Sequence, residues 1–122
     1  MKNIVNYFNN INRLKNEFCE NLIDNIGKID FENAVDIYYE LKKYSINLAV
    51  EIGLNIIEKE GKYIEETFFE NVEIEIWHNG NEETIELLNR YIRKSKNQEV
   101  VILYRKLYEI LKEKYKKLGI VK

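Results

Sequence analysis

A chain of 122 residues with 45% apolar and 33% charged side chains and a net charge of −2 supports one hydrophobic core and excludes a disordered chain. No apolar run approaches the roughly 20 residues of a membrane helix, and the opening MKNIVNYFNNIN lacks the uninterrupted apolar core of a secretion signal. The single cysteine, Cys19, excludes an internal disulfide or a thiol metal cluster, so a soluble, cytoplasmic protein is expected.

Proline is absent, which removes the strongest helix breaker. Ile, Asn and Lys abound while alanine occurs only at Ala34 and Ala49. That bias follows an AT-rich genome, as in a low-GC bacterium or its phage, and carries no chemistry.

In chain order, Ile4, Phe8, Ile11, Leu14, Phe18, Leu22 and Ile26 recur at helical spacing and predict a helix over 2–26, closed by Gly27. Cys19 lies beside this stripe and reads as a buried, inert thiol. Asp30 is a suitable N-cap for a second helix over 31–60, which ends at Gly61. Straight, it would run about 45 Å, so a bend near Ser45 or Gly53 is expected. Its second half, INLAVEIGLNII, is apolar nearly all round. Such a helix is either central to the fold or part of an interface. Ile46, Val50, Leu54 and Ile57 there predict a homodimer.

VEIEIWHNG, residues 72–80, reads differently. Val72, Ile74 and Ile76 alternate with Glu73 and Glu75, and a helix would strand Ile74 among the glutamates. The alternation predicts a strand over 71–77 with a turn at Asn79-Gly80. Asn81 then caps a helix over 82–94, with Glu82 and Glu83 in its first turn and Arg90, Arg93 and Lys94 in its last. A final helix over 98–118 follows Ser95 and Gln98, which stand at capping-box spacing. Val100, Tyr104, Leu107, Leu111, Tyr115 and Leu118 form its stripe, and Gly119 ends it. The expected fold is mainly α: a four-helix bundle-like single domain, residues 1–122, with a minor β strand or hairpin near 71–77.

Few residues point to catalysis. His78, the lone histidine, has only the carboxylates Glu73, Glu75, Glu82 and Glu83 nearby and a distant cysteine, and reads as an exposed turn residue. The two serines, Ser45 and Ser95, stand outside any nucleophile-elbow pattern. The glycines 27, 61, 80 and 119 are isolated at element ends, so no phosphate-binding loop is present. Glu17/Glu20, Glu70/Glu73 and Glu83/Glu86 have the E-x-x-E spacing with which all-helical nucleotide pyrophosphohydrolases bind Mg²⁺. The companion E-x-x-D of those enzymes is missing, since Glu32 and Asp36 stand four apart. A non-enzymatic protein without metal or cofactor is expected.

Charge is sharply divided. Residues 58–86 carry ten Glu against Lys59 and Lys62, and residues 87–122 carry eleven Lys or Arg against Glu99, Glu109 and Glu113. Side by side, the two stretches would screen each other. Apart, either would steer a partner of opposite sign. The first expectation is a binding module whose acidic surface meets a basic patch on another protein, through Glu70, Glu73, Glu75, Glu82 and Glu83. Trp77 would be its anchor, with His78 beside it. By analogy of size and composition, such a module is an inhibitor of the toxin-immunity or phage anti-defence type. The second expectation is nucleic-acid binding through Arg105, Lys106, Lys112, Lys114, Lys116 and Lys117, interleaved with Tyr104, Tyr108 and Tyr115. A Mg²⁺-dependent pyrophosphohydrolase comes third.

Overall fold

A computed structural model describes residue 17 and residues 20–117. Residues 20–25 are helical (α1), and a short turn of 3-10 helix, Ile26–Lys28, follows. Then come α2 (Phe31–Leu41), α3 (Ile46–Glu60), α4 (Glu66–Asn79), α5 (Glu82–Lys94) and α6 (Gln98–Lys117). The expected mainly α architecture holds, but without the minor strand: no strand occurs among the described residues. The expected stripe residues Ile4, Phe8, Ile11, Leu14, Phe18 and Leu118, together with Cys19 and Gly119, lie outside the described residues.

The segment expected as one helix over 31–60 is two. The chain turns at Lys42–Tyr44, and Ser45, in extended backbone, caps α3 by accepting from the Leu48 N–H at 3.3 Å. A serine side chain competes well for a free backbone donor, which is why the break falls there. Asp30 occupies the N-cap of α2, yet its carboxylate accepts from the Asn33 side chain and leaves the backbone uncapped. Gly61 closes α3 at φ +59°, a left-handed backbone that favours glycine.

α3 is the central helix and touches α2, α4, α5 and α6. Val50, Leu54 and Ile57 are fully buried inside one chain, and Ile46 is half-buried. Its apolar circumference is covered by neighbouring helices, which removes the reason for a homodimer through this helix.

The largest correction concerns residues 66–79. The predicted strand over 71–77 is helix throughout, and Asn79-Gly80 is no hairpin. Phe68, Phe69, Val72 and Ile76 face the core at steps of one, three and four, while Ile74 stays 56% exposed. Burying four large side chains outweighs leaving one isoleucine in water. Gly80 is required by space rather than by φ: a Cβ there would stand 2.5 Å from the Ile76 carbonyl oxygen and 3.0 Å from Leu111.

α5 begins and ends where expected. Asn81 accepts from the Thr84 N–H, and the Thr84 hydroxyl accepts from the Asn81 N–H, closing a capping box. The expected box at Ser95 and Gln98 does not form. Ser95 instead donates to Glu58, and Asn97 starts α6 by accepting from the Glu99 N–H at 3.0 Å.

Candidate functional site

Helical periodicity carries Glu66, Glu70, Ile74 and Trp77 along one solvent-facing crest of α4, with Glu73 and His78 at its flanks. Beside it lies α6. Lys106 sits over the Phe69 ring at 5.7 Å, the Lys114 ammonium approaches the His78 carbonyl at 3.5 Å, and Lys117 sits over Trp77 at 5.6 Å. Lys106 meets α4 near its start, at Phe69, and Lys114 and Lys117 meet it near its end, at His78 and Trp77, so the two helices run in the same direction. Between them Glu70, Glu73, Ile74, Trp77, His78 and Ile110 line a shallow groove of about 350 Å³.

Of the predicted acidic set, the fold brings together Glu70, Glu73, Trp77 and His78 and separates the rest. Glu75 points to the opposite flank of α4, where it pairs with Lys42 at 3.5 Å and accepts from Asn79. Glu82 opens α5 and lies near Tyr115, whose phenol is held up first by burial and then by the Glu82 charge. Glu83 accepts from Asn47 on α3 at 3.1 Å. Closeness in the chain was therefore a poor guide to closeness in space.

Trp77 is 37% exposed, at once in contact with Lys117 and open to water. Burial raises the Glu73 carboxyl above the ordinary carboxylate range; Lys106 pulls it down and Glu70 pushes it up again. Among the described residues, Glu66, Glu70 and Glu73 make no ion pair within 4.0 Å. An arriving cation would therefore find carboxylates outside any close ion pair there, of which Glu73 is partly desolvated and feels Lys106 at longer range.

The basic residues of α6 divide into rows. Arg105, Lys112 and Lys116 follow one line toward α5, where Lys112 lies over Tyr108 and Arg105 shares a small cleft with Tyr108 and Glu109. Lys106, Lys114 and Lys117 turn toward α4. Glu109 and Glu113 stand exposed among them. Tyr104 and Tyr115 are buried, and Tyr104 donates to the Leu54 carbonyl at 2.7 Å, so neither can stack on a base. Part of the acidic stretch and part of the basic stretch lie side by side along the α4–α6 seam, where Lys106 acts on Glu73.

A larger cleft, about 480 Å³, lies between α3 and α5, lined by Asn47, Leu48, Glu51, Glu83, Glu86, Leu87 and Arg90. Its polar groups already serve one another. Glu51 accepts from Tyr91 at 2.6 Å and from Arg90 at 3.2 Å, and Asn47 accepts from Thr84 at 2.6 Å. This network ties the two helices together. Among the described residues no group of three His, Cys, Asp or Glu side chains is placed to hold a metal ion.

Sequence reasoning singled out Trp77, Glu70, Glu73 and His78 but missed Ile74 and Ile110 as parts of the surface. The available signal was an apolar residue off the stripe of an amphipathic helix; for Ile74 it was taken as evidence for a strand. Compared with known proteins, the chain matches no family model, no curated protein and no solved structure.

Proposed function

We propose that this chain is a non-enzymatic binding module of the inhibitor kind and that the outer face of α4 is its working surface. The observation that carries this reading is Ile74 and Trp77 on a solvent-facing crest continuous with Glu66 and Glu70. A half-exposed tryptophan beside an exposed isoleucine is the composition of an interface anchor, and charges around an anchor set register and rate of encounter. The partner is a protein with an apolar pocket flanked by Lys or Arg.

Site-specific photo-crosslinking tests it. A benzophenone side chain placed at Ile74, in the cells that make the protein, should yield an adduct with another protein. The same group at Tyr44 or Tyr63, 82% and 79% exposed on other parts of the surface, should not. Equal adducts at all three positions, or an adduct only to nucleic acid, would overturn the reading.

A further inference from the structure

The seam between α4 and α6 has a property that a generic sticky patch lacks. On α4 stand the carboxylates Glu70 and Glu73, and level with them on α6 stands Lys106, close enough to pull on the Glu73 carboxyl yet without an ion pair within 4.0 Å. One step further along both helices come Ile74 and Ile110, which share the groove. Further still come Trp77 and the lysine over it, Lys117. Two parallel rows therefore run acid, apolar, aromatic on one side and base, apolar, base on the other. Glu113, exposed on α6, interrupts the basic row.

We propose that this face is self-complementary and that a second copy of the chain seats on it about a two-fold axis parallel to the two helices. That rotation lays each α4 against the other copy's α6 at matching height. Glu70 and Glu73 then meet Lys106, Ile74 meets Ile110, and Trp77 meets Lys117. An axis across the helices would instead set the carboxylates against Trp77, and the match is lost. An isologous contact needs only such a patch, because each pairing occurs twice. The crest from Glu70 to Trp77 is about 10 Å long at 1.5 Å per residue, so the contact is small and the dimer weak and reversible. It is distinct from a dimer through α3, whose apolar surface is covered within one chain. The inference rests on the α4 face being the working surface. Its consequence is that dimer and partner compete for Trp77, so protein concentration sets how much of the surface is free.

The test uses the intact chain in sedimentation equilibrium up to about 1 mM, with the emission of the sole tryptophan followed on dilution. A monomer–dimer equilibrium should appear, with Trp77 emission shifting to the red as dimers part. Glu70→Lys/Glu73→Lys should weaken dimerisation at least about tenfold, and so should Lys106→Glu/Lys117→Glu. An equimolar mixture of the two variants should form a heterodimer tighter than either alone. Circular dichroism of each variant confirms that the helices persist. Monomer throughout, or a dimer indifferent to both reversals, overturns the proposal. The two readings fail separately: a self-adduct alone at Ile74 would remove the foreign partner and keep the dimer, and a foreign adduct from a strictly monomeric chain would do the reverse.

Discussion

Two buried tyrosines show how single polar atoms are treated in this core. The Tyr104 hydroxyl donates to the Leu54 carbonyl, whereas the Tyr38 hydroxyl, fully buried against Phe68 and Tyr39, has no hydrogen-bond partner among the described residues. Burial raises both phenols above their ordinary range, so both stay neutral. Removing an unsatisfied hydroxyl removes a desolvation cost, while removing a bonded one loses about 1 kcal/mol. Tyr38→Phe should therefore leave the melting temperature unchanged or raise it, and Tyr104→Phe should lower it. At the surface, the Glu73 carboxyl is raised in the folded chain, so it stabilises the fold only below the ordinary carboxylate range. That contribution is lost as pH rises through its folded pKa. Glu73→Gln should accordingly raise the melting temperature more at pH 7 than at pH 4. An equal shift at both would show that the carboxyl is not desolvated.

α4 is the element on which sequence and structure differed most, and the difference is physical. VEIEIW satisfies a period of two, and the same letters place Val72 and Ile76 one turn apart on a helix. Nothing local decides between them, because the deciding contacts come from distant α3 and α6. A substitution pair separates the two forms. In a strand Val72, Ile74 and Ile76 share a buried face, whereas in α4 only Val72 and Ile76 are buried. Ile74→Glu should leave thermal stability within about 0.5 kcal/mol, and Ile76→Glu should cost more than about 3 kcal/mol. Equal damage from both would restore the strand. Elsewhere local signals sufficed: Asn81 with Thr84 and the opposed end charges placed α5 correctly. At α6, Asn97 took the cap that Ser95 was expected to fill, because Ser95 was drawn to Glu58 on α3. That is a tertiary contact, which neighbours in sequence cannot reveal.

At the scale of the molecule, the division of charge along the chain became a seam rather than two poles. Rarity identified Trp77, and the acidic run identified Glu70 and Glu73. Folding then sent Glu75, Glu82 and Glu83 to other duties and brought Lys106, Lys114 and Lys117 alongside. The surface that remains is mixed in charge and apolar at its middle, a composition that fits a protein partner better than a phosphate backbone. The most direct measurement is the yield of the foreign-protein adduct formed from Ile74 in three charge backgrounds. Glu70→Lys/Glu73→Lys should lower the yield at least about tenfold, while Lys112→Glu/Lys116→Glu, on the far side of α6, should change it less than about twofold. The opposite ranking, with the α6 reversal abolishing the adduct and the α4 reversal sparing it, would contradict the assignment of the working surface to α4.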